Sequence, residues 1–306
     1  MEFALKSLSF ALILALALGC FDRYGWIFDL CVHWWILGII AAIALAGFAW
    51  FYNIKPLCGI LIAVAVITGT LLCIQHVPIM PRGSGEASLR VLSFNLWHEN
   101  KKYGQVLEYL QTSKADVIVL VEGTPDWAEA LKPLLGIYPY VVQQPEADFY
   151  HGMIFSKFPI TVKKAVPMPG SPAALAQLQT PYGPITVIGI HTPAPMKLHH
   201  FRMRQKHIAM LAALVKKQTN PVIIAGDWNA TPWSYTMRDF ASGTGLKLAN
   251  TLPAKNTWLL TIPGLGLSID HIFATPDFKL QQMGISPYLG SDHRAIWADF
   301  TAPSAN

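Results

Sequence analysis

The sequence predicts a mixed α/β domain carried behind an apolar helical region, on three observations. Residues 1–81 hold only Glu2, Lys6, Asp22, Arg23, Asp29 and Lys55 as charged side chains. From Leu89 onward, short apolar runs of strand length alternate with helical patterns. Between the two lies PRGSGEAS, residues 81–88, which lacks bulky apolar side chains and reads as a flexible linker. The predicted organisation is a helical region over 1–80, the linker over 81–88 and a globular domain over 89–302. At 53% hydrophobic and 13% charged, the chain is too apolar for an ordinary soluble protein, and its net charge of +5 falls entirely on residues 82–306.

In the helical region, residues 7–21, 30–54 and 56–81 contain no Asp, Glu, Lys or Arg. The second and third runs exceed the roughly 20 residues that span a bilayer. The first is shorter, but Lys6 can snorkel and extend it toward Phe3, so about three transmembrane helices are expected. Tyr24, Trp26, Trp34, Trp35, Trp50 and Tyr52 sit near the ends of the runs, as an interfacial aromatic belt would. A cleaved signal peptide over residues 1–20 is the main alternative. ALGC, ending at Cys20, is a weak lipoprotein box, with Ala17 where such boxes prefer Leu. Cys20, Cys31, Cys58 and Cys73 all fall in or beside the spans, so the domain has no disulfide framework and no thiolate zinc site. His33 and His76, near span ends, are read as interfacial. Lys6 and Lys55 would share one side of the membrane and Arg23, Arg82 and Arg90 the other, so basic residues do not orient the chain. An N-terminus inside would place the domain outside the cytoplasm after three crossings.

Within the domain, RVLSF, DVIVLVE, HGMIFS, ITVIGIH, VIIAGD, IDHIF and AIWADF read as strands. Helical patterns cover residues 103–112, 126–135 and 199–217. The segment PVIIAGDWNATPWS, residues 221–234, organises the rest. Its apolar strand ends at Gly226, which delivers Asp227 and Asn229 together at the strand terminus, with Trp228 on the opposite face. Thr231 and Pro232 are the expected N-cap and first residue of a following helix. No Walker A loop, GxGxxG or HExxH is present.

Other apolar runs also carry polar groups at an end: Asn95, Glu122 and His191, Asp270 with His271 at the start of IDHIF, and the SDH of residues 291–293 before the final strand. One such end is commonplace; a whole set points to a shared cleft at one edge of the sheets. Carboxylates with Asn and His, and no Cys, suit a hard cation such as Mg²⁺ or Mn²⁺. Each residue also has a structural reading. Glu122 could be a helix N-terminal charge before Thr124 and Pro125, His191 a satisfied strand end, and Asp292 a turn former after Gly290. The basic residues His199, His200, Arg202, Lys206 and His207 read as a solvated helix face rather than a grip on phosphates or headgroups.

The order SFN (Asn95), VLVE (Glu122), GMIFSKFPI (152–160), GIH (His191), GDWN (Asp227, Asn229), SIDHIF (Asp270) and GSDH (Asp292, His293) resembles the endonuclease/exonuclease/phosphatase superfamily, the DNase I-like fold. The resemblance covers residues 89–300 and implies a four-layer α/β/β/α sandwich with its site at one end. It implies Glu122, helped by Asn95, as the main metal ligand, with Asp292 a metal-proximal acid. Asp227 would orient or deprotonate the attacking water, and Asn229 would hold a water or a nonbridging oxygen. His293 would donate to the phosphoryl oxygen, Asp270 would orient a catalytic histidine, and His191 would contact phosphate or the leaving group. Arg204 matches an Arg common in the family's helix and, with Tyr150, is a candidate substrate contact. Trp97 stands where many relatives have an acid, which weakens the case for a second metal, and the role of His271 is open.

The implied activity is Mg²⁺- or Mn²⁺-dependent hydrolysis of a phosphate ester or pyrophosphate. The membrane helices favour a lipid-linked substrate, as in membrane-tethered bacterial members associated with polyprenyl-pyrophosphate carriers. A tethered nuclease is the second reading and an inactive membrane scaffold the third. The expected partners are the bilayer and a phosphorylated substrate; no obligate protein partner can be inferred.

Overall fold

The apolar runs build two mixed sheets, each of six strands. The first sheet comprises β1 (Leu89–Asn95), β2 (Val117–Gly123), β3 (Tyr140–Gln143), β4 (His151–Ser156), β11 (Lys279–Ile285) and β12 (Ile296–Thr301), in the order β11-β12-β1-β2-β4-β3. The second comprises β5 (Ile160–Val166), β6 (Ala173–Thr180), β7 (Gly183–His191), β8 (Val222–Asp227), β9 (Lys247–Leu248) and β10 (Asp270–Ala274), in the order β5-β6-β7-β8-β10-β9. The structure is a computed structural model, and it describes residues 1–83, 88–143, 151–250, 255–258 and 266–301.

The inner faces of both sheets meet in a dry core that includes Val91, Val119, Ile154, Val187, Ile223 and Phe300. On the outer face of the first sheet, α5 (Tyr103–Thr112) and α6 (Pro125–Ala130) bury Leu110 and Trp127 with Phe94. On the outer face of the second, α7 (Leu198–Lys216) and α8 (Tyr235–Thr244) bury Leu211 and Phe240 with Trp228. This is the expected four-layer sandwich.

Three local expectations are corrected. The pattern over 126–135 is not one helix: α6 stops at Ala130 and a 3₁₀ turn covers Lys132–Gly136. Pro133 has no N–H to continue the α-helical ladder, and its ring would clash with the carbonyl four residues back. Thr231 and Pro232 do not open α8, whose N-cap is Ser234. The Thr231 hydroxyl lies 2.9 Å from His33 Nδ1, and a turn closes instead from Ser234 N–H to the Thr231 carbonyl.

The third correction concerns the N-terminal region, which forms α1 (Glu2–Gly19), α2 (Trp26–His33), α3 (Trp35–Phe51) and α4 (Lys55–Ile74). Helices α1 and α4 are each long and apolar enough to cross a membrane. The run 30–54, expected as one span, breaks at Trp34, where α2 and α3 meet at 64°; together they would make a third. The break lets α2 turn onto the α/β domain, where Val32, with Trp35 at the start of α3, packs with Trp233. The end of α1 is also at the domain, since Asp22 accepts the Tyr235 N–H at 2.5 Å. So is the exit from α4, where Val77 N–H donates to the Pro232 carbonyl at 3.0 Å.

The chain leaving α4 is held along the domain. Met80 N–H and Leu248 N–H pair with the carbonyls of Leu248 and Pro78, and Gly83 N–H reaches the Leu280 carbonyl. The chain is therefore bound to the sheet edges before the Gly- and Ser-rich stretch begins.

Strand β8 occupies the middle of its sheet, parallel to β7 and antiparallel to β10. Gly226 holds φ +149° there, and a Cβ would fall 1.9 Å from the Ile190 carbonyl oxygen. Because that neighbour is backbone, the two central strands would have to part. Gly226→Ala is expected to lower stability by about 2 kcal/mol or more. Thermal unfolding of the full-length protein in detergent checks this; an unchanged midpoint would contradict the close approach.

Candidate active site

Sheet register assembles the site. Asp227 at the end of β8 pairs with His191 of β7 on one side and Asp270 of β10 on the other. Paired residues share a face, so all three side chains point the same way. Strand alternation sends His271, opposite Gly226, to the outer face. There it is buried with Nε2 2.9 Å from the Ala230 carbonyl, and burial pushes it down to about 4. It is a neutral structural residue. Trp228 also lies on that face, packed against Phe240 and Phe273 with its indole N–H on the His271 carbonyl.

The facing sheet adds Asn95 and Glu122 from the adjacent ends of β1 and β2. Glu122 has φ 55°, where the pairing of β2 with β4 slips between Leu120 and Gly123. Trp97 and Asn229 also hold positive φ beside the cleft, at 57° and 46°. A side chain in this left-handed conformation costs about 1–2 kcal/mol, least for Asn. Such strain, clustered at one place, marks a functional site.

The polar network is dense. Asn95 donates from Nδ2 to Glu122 Oε1 at 2.9 Å and to Asp227 Oδ2 at 3.1 Å. Its Oδ1 accepts the Trp97 N–H at 3.0 Å, so Asn95 turns its nitrogen rather than its oxygen to the acids. It bridges two carboxylates here, which differs from the expected metal-ligand role. Asp227 Oδ1 accepts the Asn229 N–H at 2.8 Å, while Asn229 Nδ2 reaches the Thr192 carbonyl at 2.9 Å. His191 Nε2 is 3.6 Å from both Glu122 Oε1 and Asp227 Oδ2. His293 Nδ1 is 2.8 Å from Asp270 Oδ2, leaving Nε2 3.7 Å from Asp227 Oδ2 and 4.0 Å from Asp292 Oδ1.

These contacts set the charge states. Burial by itself would lower His293, but Asp270 and Asp227 outweigh it and raise the imidazole to about 10. Burial raises Asp227 to about 8, against the pull of His293. Burial also works to raise Glu122, yet His191 and the bonds from Asn95 and His98 hold it below its ordinary value. His191 is lowered by burial, and Asp292 raised by it.

The donor set fits a divalent cation. Ligating atoms of Glu122, His191 and Asp227 lie within 4.8 Å of one another. The buried Asp292 Oδ1 has no hydrogen-bond partner among the described residues. Oxygen-rich sites of this kind favour hard cations.

Of the candidate residues, the structure brings together Asn95, Glu122, His191, Asp227, Asn229, Asp270, Asp292 and His293. Tyr150 lies outside the described residues. Arg204 is not a substrate contact: it is fully buried and bonded to Asp29 Oδ2 and the Asn229 carbonyl. The basic face of α7 is not uniformly solvated either, since His207 is buried against the Pro169 carbonyl and pushed by burial down to about 4. His200 and Met203 line the cleft, whose volume is about 490 Å³.

Two site residues went unforeseen. His98 Nδ1 is 3.1 Å from Glu122 Oε2, and the Trp258 indole N–H donates to Asp292 Oδ2 at 3.0 Å. The position of His98 three residues after Asn95 was the available signal; Trp258 follows no strand pattern that could have flagged it.

No curated protein matches the chain. Among solved structures, humanized D. rerio TDP2 superposes with TM-score 0.59 at 17% identity, over 70% of this chain and 99% of that one. An endonuclease/exonuclease/phosphatase from Beutenbergia cavernae gives 0.60 at 19%, over 72% and 73%. The human Nocturnin catalytic domain with bound sulfate anion gives 0.57 at 17%, over 74% and 98%. Identities this low speak for the fold. The Endonuclease/Exonuclease/phosphatase family model matches residues 92–293, from β1 through His293. With that match spanning every strand that feeds the cleft, the chain belongs to this family of metal-dependent hydrolases of phosphate esters and phosphodiesters.

Proposed function

We propose that this chain is a membrane-anchored phosphohydrolase of bacterial type that cleaves a lipid-linked phosphate or pyrophosphate with Mg²⁺ or Mn²⁺. One observation supports the lipid reading: the loop of Asn229, which lines the cleft, is bonded through Arg204 to Asp29 of the N-terminal helical region. The cleft's wall residues His200 and Met203 precede Arg204 in α7. Met196 and Leu198, at the entrance to α7, are 67% and 47% exposed. Exposed apolar side chains near the cleft, with helices apolar enough to cross a membrane on the same chain, suit a substrate whose tail stays in the membrane. With α1, α3 and α4 each crossing once and α2 seated on the domain, the domain lies across the bilayer from the N-terminus, and so outside the cytoplasm if the N-terminus is inside. A tethered nuclease is the second reading, favoured by the +5 charge of residues 82–306.

Glu122, with Asp292 nearby, would hold the cation, which when bound supplies Lewis-acid polarisation of the phosphate. Asp227, held at the end of its strand between His191 and Asp270 and within reach of Asn95, is placed to orient and deprotonate the attacking water. Asn229 has its amide nitrogen engaged, so the end it offers that water is the oxygen. His293, kept as an imidazolium by Asp270, donates from Nε2 to the phosphoryl oxygen as charge builds there. His191, uncharged because of its burial, acts as a hydrogen-bond donor to phosphate or the departing oxygen.

Asp227→Ala and His293→Ala are each expected to lower kcat on bis(p-nitrophenyl) phosphate by about two orders of magnitude or more with the fold retained. Losses below about tenfold in both, by steady-state kinetics, would remove the assignment. Asp270→Asn takes away a charge that holds the His293 proton. His293 then deprotonates at lower pH, so the alkaline limb of the pH–rate profile should move down; an unmoved limb would separate the two residues. For the substrate, full-length protein in vesicles should hydrolyse polyprenyl pyrophosphate in preference to single-stranded DNA supplied in competition, and EDTA should stop the reaction. DNA cleavage with no attack on the lipid would put the nuclease reading first.

A further inference from the structure

The loop that carries Asp227 and Asn229 is gripped from the N-terminal region. Arg204 of α7 is fully buried. Its Nη2 donates to Asp29 Oδ2 at 2.6 Å, and its Nη1 donates to the Asn229 carbonyl at 2.6 Å. Asn229 holds φ 46° and gives its own N–H to Asp227 Oδ1 at 2.8 Å. The next turn of the loop is tied to the same stretch. His33 Nδ1 accepts the Thr231 N–H at 3.3 Å, its Nε2 lies 3.3 Å from Asp29 Oδ2, and the Trp233 indole donates to the Val32 carbonyl at 2.7 Å.

We propose that the N-terminal helical region is part of the active-site scaffold, with Asp29 a positioning residue that acts through Arg204 on the backbone of Asn229. A guanidinium fork can satisfy two acceptors at once only while both stay in place. Removing Asp29 leaves that charge buried and unpaired, which a protein does not tolerate in place. Arg204 must then turn toward water and release the Asn229 carbonyl. The left-handed residue loses its restraint, and the N–H that holds Asp227 moves with it. The domain is thus built to work while α2 is seated on it, whichever phosphate ester the cleft takes.

The test uses full-length protein in detergent micelles, carrying Asp29→Asn, Arg204→Lys or Asp22→Asn. Lys keeps the buried charge beside Asp29 but cannot reach both acceptors, so it serves if Asp29→Asn fails to fold. Asp22→Asn weakens a separate contact of the N-terminal region, with Arg238 and the Tyr235 N–H, and leaves α2 seated through Asp29 and Arg204. On bis(p-nitrophenyl) phosphate with Mg²⁺, the first two variants should lose about tenfold or more in kcat with KM within about twofold, since a small misplacement of the attacking group is costly. Amide hydrogen exchange over residues 227–231, which needs no turnover, should quicken in those two variants alone. Asp22→Asn should lower the melting temperature and keep wild-type kcat and exchange. Wild-type kcat and exchange in folded Asp29→Asn or Arg204→Lys would overturn the proposal, as would equal losses in Asp22→Asn. A wild-type enzyme inactive on the diester would count against the functional reading, and the exchange data would still decide the positioning role.

Discussion

The structure depends on keeping Asp227 buried as an acid among other acids. Its side chain lies between His191 and Asp270 in its own sheet and faces Glu122 and Asn95 from the other. Carboxylates at such spacing repel, and burial strengthens the repulsion. The surroundings answer with the imidazolium of His293, the N–H groups of Asn95 and Asn229, and a place suited to a cation. Each of these needs its strand in one register, because a slip of a single residue would turn the side chain to the opposite face. The pairing of β8 with β7 and β10 therefore fixes chemistry and topology together, and the bare backbone at Gly226 is what lets the central strands come close enough.

Much of this was legible in the sequence because the site is made at strand ends. A polar residue at the end of an apolar run is visible without any structure: Asn95, Glu122, His191 and Asp227 close their runs and Asp270 opens one. Strands buried on both faces, such as β2 and β8, were visible for the same reason. The edge strands were not. In β5, Lys163 and Lys164 interrupt the apolar pattern because an edge strand is protected by charge rather than by neighbours. The short β9 is defined by pairing with β10 and with the chain at Ile79, which no local pattern encodes.

Contacts between regions were the least legible. His33 looked like an interfacial group, Arg204 like a ligand contact, and Asp22 and Asp29 had no evident partner, because each was weighed within its own segment. They are partners: a carboxylate in an apolar helix and a guanidinium in a soluble one are each costly alone, and bonded at 2.6 Å each accounts for the other. A charged residue in an otherwise apolar stretch is thus better read as half of a pair, with its other half sought on the domain that follows.

The choice of an ion pair for this contact has a physical logic. Between apolar helices and a domain, van der Waals packing alone would allow several rotations of α2 at similar energy, because apolar contact has little direction. A buried ion pair adds little net stability once desolvation is counted, but it has one geometry and fails badly in any other. Asp29 and Arg204 therefore act less as glue than as a key that admits one orientation. The same guanidinium that reads that orientation also holds the Asn229 carbonyl, so the seating of the N-terminal region and the shape of the catalytic loop share one side chain.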